Sequence, residues 1–303
     1  MRDHINVCIC TYKRINLLDR LLEKLRNQIT DSTFTYDIII VDNDFLCSAK
    51  DVVGRVRNKG NLDIKYFFEP IQNIALARNK TVENATGTLI VFLDDDEFPY
   101  ERWLLDLYLV YRSHVCDGVL GPVFPYFERE PPSWVKKGRF FEKKILKKVK
   151  YLKWEEMYTS NVLVSRSSLL RLNQKFDERL GRTGGEDSAF FKNMINNGCS
   201  FVWANDVYVY EMIPQERWSM KWLLKRSLRT GGTFSKLKFD ELNFLGKVFY
   251  TCKFFVGVLV FLIYLPFSVI FGKHVFVKYM MKLFSNIGKI GGVFNFILIE
   301  YEE

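Results

Sequence analysis

At 303 residues the chain is long enough for one large domain or two small ones. Its 48% hydrophobic and 26% charged residues exclude a disordered chain, and its net charge of +9 favours an anionic partner: nucleic acid, a phosphorylated substrate or an acidic membrane surface. The six cysteines form no C-x-x-C pair and no zinc spacing, which fits a reducing cytosol, and M-R-D-H-I-N leads directly into a strand rather than a signal peptide.

In chain order, Ile5 to Cys10 reads as a first strand, with Cys8 and Cys10 as core residues. Thr11, Tyr12, Lys13 and Arg14 make the turn after it. From Asn16 to Asn27, apolar Leu17, Leu18, Leu21, Leu22 and Leu25 recur at a helical period. Asp37 to Val41 is a second strand, ending in Asp42, Asn43 and Asp44. A helix over Ser48 to Arg57, a strand over Ile64 to Phe68 and a helix from about Asn73 to Ala85 follow. This β-α alternation with short loops predicts an α/β fold with a doubly wound, mostly parallel sheet.

The stretch T-L-I-V-F-L-D-D-D-E-F-P, Thr88 to Pro99, organises the rest. Leu89 to Leu93 reads as a strand buried on both faces, which then releases three aspartates and a glutamate. In open α/β sheets, ligands bind at that carboxyl edge. Strand alternation would aim Asp94 and Asp96 to one side and Asp95 to the other. Two carboxylates on one side suit Mg²⁺ or Mn²⁺ with substrate phosphates completing the shell; an acidic turn with Pro99 opening a helix is the plainer alternative. Thr11-Tyr12 and Asp42-Asn43 end on the same sheet edge. The first turn has no glycine and there is no P-loop, which argues against NAD and against P-loop nucleotide binding.

After Trp103 to Tyr108, in a helix, D-G-V-L-G-P-V reads as a fifth strand. The basic, partly aromatic insertion over 126–153 reads as a solvated helix face; the other reading is a loop over the active site or a contact with anionic head groups. It has no accompanying nucleic-acid module. Tyr158 to Ser165 and Phe201 to Tyr210 are strands. Gly184-Gly185 precedes Glu186-Asp187 and a helix, where acids in the first turn are also explained by the helix dipole. A helix over Arg217 to Gly232 carries Arg226 and Arg229, which are either surface charge or a diphosphate clamp. Phe254 to Gly272 contains no charge and is just long enough to span a bilayer, with Lys253 and Lys273 at its flanks. The tail beyond it is basic, so a hairpin or an interfacial arrangement keeps the positive charge on one side.

V-C-I-C-T-Y-K-R, I-I-I-V-D-N-D, N-I-A-L-A-R-N-K, V-F-L-D-D-D-E-F-P, T-S-N-V-L-V-S-R and G-G-E-D-S-A-F-F occur in this order over the first 235 residues or so. The set resembles family 2 of the glycosyltransferases, with the GT-A fold. Its C-terminal part is similar to bacterial members that build exopolysaccharide or lipopolysaccharide at the cytoplasmic face of the inner membrane. The resemblance implies an inverting transfer from a nucleoside-diphosphate sugar, with a UDP-sugar favoured, to a saccharide or lipid-linked saccharide. Thr11, Tyr12, Arg14, Asp42, Asn43, Arg78, Asp94 and Asp95 would bind the donor. Asp96 would hold Mn²⁺ or Mg²⁺, either with Asp94 and Glu211 as further ligands or with phosphate alone. Asp187 would be the general base, and Glu186 and Asn161 would lie near the sugar or acceptor. Arg226 and Arg229 are the diphosphate candidates. Two departures stand out. Glu211 occupies the place of a ligand histidine in many relatives, and Gln215-Glu216-Arg217-Trp218 is one residue short of the processive Q-x-x-R-W, which points to transfer of a single sugar. Expected divisions are 1–123 for the donor, 124–235 for the acceptor and base, and 236–303 for the membrane. A sugar nucleotidyltransferase and a non-catalytic membrane module are the alternatives.

Overall fold

The computed structural model describes residues 2–60, 62–143, 145–146, 150–294 and 296. Strand β1 (His4–Thr11) leads into α1 (Ile15–Arg26), whose Leu18, Leu21, Leu22 and Leu25 are buried, as the helical period requires. Then come β2 (Thr35–Asp42), α2 (Lys50–Asn58), β3 (Ile64–Phe68), α3 (Ile74–Asn84) and β4 (Leu89–Phe92). Asn73 starts α3 by accepting the Ala75 and Leu76 N–H groups on its side-chain oxygen at 3.0 and 3.3 Å. The chain continues through β5 (Glu97–Pro99), α4 (Trp103–Ser113), β6 (Gly118–Leu120), β7 (Val123–Tyr126), α5 (Ser133–Gly138), β8 (Val162–Ser165), α6 (Arg166–Leu172), α7 (Glu186–Asn196), β9 (Phe201–Trp203) and β10 (Val209–Met212). Three long helices follow: α8 (Met220–Phe239), α9 (Phe244–Ser268) and α10 (Lys273–Val293).

The main sheet runs β3-β2-β1-β4-β8-β6-β9. All its pairs are parallel except those of β8, which lies antiparallel between β4 and β6, so the sheet is mixed. Its central strands are buried on both faces, the burial expected of an α/β sheet. A second, three-stranded sheet, β5-β10-β7, was not foreseen. Glu97 to Pro99 pairs antiparallel with β10 instead of opening a helix. The run expected as one strand, Phe201 to Tyr210, divides into β9 and β10, one in each sheet.

The chain packs into two compact units that do not part at 123 and 235. One comprises Met1–Tyr126, Lys143–Gly181 and Glu186–Met212; the other comprises Phe127–Glu142, Arg182–Gly185 and Ile213–Glu303. Within the second, Val135 and Phe141 of the basic insertion are buried with Ile213, Leu223 and Val277, and Trp134, Trp218 and Trp222 pack around them. That part of the insertion is therefore a packed element, with only a six-residue helix, rather than a solvated helical face. Lys144 and 147–149 lie outside the described residues. Helix α9 begins ten residues before the uncharged run, so Lys253, expected at its flank, sits inside the helix.

Candidate active site

The acids after β4 do not continue the strand. Extended pairing stops at Phe92, and Asp95 and Asp96 occupy a turn. Alternation therefore fails: Asp95 and Asp96 share one cation, while Asp94 faces another. Arg14 Nη1 reaches Asp95 Oδ1 at 2.8 Å and Asp96 Oδ2 at 2.9 Å. The Thr11 hydroxyl donates to Asp95 Oδ2 at 2.8 Å. Arg78 bonds Glu186 Oε1 at 2.5 Å and lies 3.6 Å from Asp94. The turn is thus held by one arginine from the β1–α1 loop and approached by a second from α3.

An aromatic stack holds α7 beside β4. Phe176 and Phe190 lie face to face with centroids 4.0 Å apart, and Phe92 of β4 meets both edge-on. Asn79 fixes Phe176 by accepting its N–H at 2.7 Å and donating to its carbonyl at 3.0 Å. Gly184 and Gly185, both at positive φ, turn the chain into α7. Glu186 and Asp187 thus begin a helix anchored to β4, the strand that ends two residues before Asp94. Asp187 is half-buried and accepts the Ser188 N–H at 2.7 Å.

Electrostatics reinforce this grouping. Burial raises the Asp94 pKa, with Asp95 and Glu211 adding repulsion and Arg78 and Lys143 opposing it. Burial also pushes Asp95 up to about 6, aided by Asp96 and opposed by Arg14. Glu97 is raised well above the usual carboxylate range, first by burial and then by Asp94 and Glu211. Glu211 faces Glu97 across the β10–β5 pair, on the side of the sheet opposite Phe98 and Tyr210. Burial lifts Cys10 up to about 12, so this largely buried thiol beside Arg78 and Asp94 is neutral.

A divalent ion was expected here. Among the described residues no three histidine, cysteine or acidic side chains converge as a ligand cage. The donor chemistry still fits Mg²⁺ or Mn²⁺, which bind through one or two carboxylates and complete their shell with substrate phosphates and water. The side chain of Asp94 is 44% exposed, so a ligand can reach it.

Three residues expected at the ligand have hydrogen-bond partners within the protein. Asp42 is fully buried, and its carboxylate is used internally: it accepts the Asp44 N–H at 3.1 Å, the Ala49 N–H at 2.7 Å and the Tyr66 hydroxyl at 3.0 Å. Asn43 donates to the Glu69 and Ile71 carbonyls and accepts the Asn73 N–H, tying β2 to the β3–α3 loop. Asn161, fully buried at φ +49°, donates to the Pro122 and Val207 carbonyls and accepts from Trp103 Nε1 at 2.7 Å. It joins the segments around β6, β7 and β10. Tyr12 is half-buried with Lys13 5.0 Å over its ring. Arg226, on α8 in the other unit, lies 5.2 Å over Trp222, and Arg229 is one turn further along.

The sequence reading missed Glu97, Ser160 and Lys143. Glu97 accepts the Asp94 N–H at 3.1 Å and the Ser160 hydroxyl, bracing the acidic turn. Lys143 lies 3.9 Å over the Tyr158 ring and offsets the charge of Asp94 and Glu97. The signals were present: Glu97 completes the acidic run, and Ser160 precedes Asn161 in the same motif.

Residues 6–172 match the family described as Glycosyl transferase family 2. The chain belongs to that family. The succinoglycan biosynthesis protein ExoM of Rhizobium meliloti (strain 1021) is 33% identical over 242 residues, 79% of this chain and 77% of that protein. A mannosyltransferase of Pyrobaculum calidifontis, PcManGT, solved with GDP-Man and Mn²⁺, superposes with a TM-score of 0.66 over 97% of this chain and 88% of its own, at 14% identity. TarS of S. aureus, solved with UDP, gives 0.54 over 76% of this chain and 65% of that one, at 19% identity. The two structural likenesses show a shared fold. The family shows the activity: this is a glycosyltransferase that uses a nucleoside-diphosphate sugar.

Proposed function

We propose that the chain is an inverting, metal-dependent glycosyltransferase of GT-A architecture. It moves a single sugar from a nucleoside-diphosphate sugar, a UDP-sugar being favoured, to a saccharide or lipid-linked saccharide. Its setting is the cytoplasmic face of a bacterial inner membrane, in cell-surface polysaccharide synthesis. The observation that carries the reading is the joining of the acidic turn to the start of α7 through Arg78, which touches Glu186 at 2.5 Å and Asp94 at 3.6 Å. ExoM's role in succinoglycan biosynthesis and the Mn²⁺ found with PcManGT support the acceptor class and the metal. The exposed apolar helix α9 supports the membrane setting.

The roles follow from the chemistry of the donor. Asp187 takes the proton of the acceptor hydroxyl as that oxygen attacks the anomeric carbon, and attack opposite the leaving group inverts the centre. Glu186, fixed by Arg78, holds α7 so that Asp187 faces the reacting hydroxyl. Arg14 keeps Asp95 and Asp96 in place between turnovers. Asp96, alone or with Asp94 and Glu211, would hold a divalent ion, which would supply Lewis-acid stabilisation of the departing diphosphate. Arg226 and Arg229 are assigned to the diphosphate on the sequence alone; donor affinity of Arg226→Ala tests that.

The experiment is a panel of nucleotide sugars incubated with the purified protein and Mn²⁺. One donor is expected to be hydrolysed slowly. Chelation, or Asp96→Ala, lowers that rate on the order of 100-fold or more. Hydrolysis that ignores both chelator and mutation would overturn the metal assignment.

A further inference from the structure

Between Phe244 and Phe294 there are six lysines (247, 253, 273, 278, 282 and 289) and no aspartate or glutamate. Helix α9 and the turn after it, Phe244–Phe271, are long and apolar enough to cross a membrane, yet only 11% of the most apolar window is buried. Leu245, Phe249, Phe255, Leu259, Ile263 and Phe267 are among its exposed side chains. A soluble monomer rarely shows so large an apolar face without a partner.

The chain then reverses at Gly272, at φ +96°, and α10 returns along α9. A Cβ at Gly257 would meet Asn286, the Phe261 ring lies 5.9 Å from Tyr279, and Lys289 stands 5.6 Å over Phe254. These pairings define an antiparallel hairpin. Lys282 lies 5.6 Å over the Phe261 ring, beside the middle of α9. Were α9 to cross upright, Lys282 and Lys278 would be carried to mid-bilayer. A charged lysine there is strongly disfavoured. Helix α8 is tied to the same assembly. A Cβ at Gly288 would sit 1.9 Å from the Leu228 carbonyl oxygen, and one at Gly292 2.3 Å from that of Gly232. Helix α8 carries further positive charge, with Lys225, Arg226, Arg229, Lys236 and Lys238.

We propose that α9 lies in the plane of one leaflet of an anionic membrane and does not cross it, with α10 beside it at head-group depth. The exposed face of α9 enters the hydrocarbon while the lysines of α10 reach lipid phosphates, a division of roles set by their chemistry. Because the stretch carries no acid, its counter-charge comes from the lipid. This rests on the membrane setting proposed above and adds the mode of contact: an enzyme that docks on one face and meets its acceptor from that leaflet.

The test adds the full-length protein to preformed vesicles of phosphatidylcholine with and without phosphatidylglycerol. Capture should require phosphatidylglycerol and weaken with salt. Lys278→Gln and Lys282→Gln should each lower it roughly fivefold while leaving donor hydrolysis unchanged. A cysteine in the hairpin bend, His274→Cys, should react with an impermeant maleimide added outside the vesicles. Labelling of that cysteine only after detergent overturns the in-plane arrangement and leaves membrane contact standing. Failure to bind any vesicle, or a dimer that buries α9 without lipid, overturns the membrane setting itself.

Discussion

Two regions of the molecule, the end of β4 and the α9–α10 hairpin, treat charge in opposite ways. At the end of β4, acids and bases of the same unit are paired: Arg14 with Asp95 and Asp96, Arg78 with Glu186 and Asp94. Along α9 and α10, lysines stand over aromatic rings, such as Lys282 over Phe261 and Tyr279, in a stretch without a single acid. Internal pairing fixes geometry, because two charges held out of water tolerate little displacement. Unbalanced charge on an exposed surface does the reverse: it leaves the compensation to an external partner. The first arrangement suits chemistry and the second suits docking.

Breaking an internal pair should therefore cost most. Arg78→Ala leaves Glu186 buried without its cation and is expected to lower stability by about 3–5 kcal/mol, measured by urea unfolding; Arg78→Lys should recover part of it. Next comes the helix packing of the other unit. Gly288→Ala drives a methyl into the Leu228 carbonyl and should cost about 1–3 kcal/mol, with vesicle capture falling in parallel.

Asp95 gives a pH signature. Its folded pKa, about 6, is raised, so the folded chain keeps a proton that the unfolded chain has already lost. That contribution to stability is full below about 4, the ordinary carboxylate value, and is lost as pH rises through about 6. Unfolding free energy of the wild type should fall relative to Asp95→Asn across that window; parallel curves would contradict the assignment. The smallest effect belongs to the exposed pair Lys136–Glu130, where Lys136→Ala should change stability by less than about 1 kcal/mol.

Much of this was legible in the sequence. The β-α alternation gave the parallel core of the sheet, and L-I-V-F-L followed by D-D-D-E located the edge where the site lies. The aim of the acids was not legible, because period-two alternation holds only while the chain stays extended, and it leaves that conformation after Phe92. Nor could residue type alone separate a ligand contact from a structural one. Asp42 and Asn43 sit at a strand end, where a donor would be met, yet their hydrogen bonds are used by Ala49, Tyr66 and Asn73, and only the fold reveals that. The small sheet was missed for a related reason: β5 is three residues long and exists through its distant partner β10.

The proposed role of Asp187, at the start of α7, is proton transfer beside the acidic turn. It is tested most directly by Asp187→Asn, comparing acceptor transfer with donor affinity once the donor is known. Transfer is expected to fall about 10²–10⁴-fold, with donor affinity changed little. Transfer at the wild-type rate would show that another group takes the proton and would remove Asp187 from the mechanism.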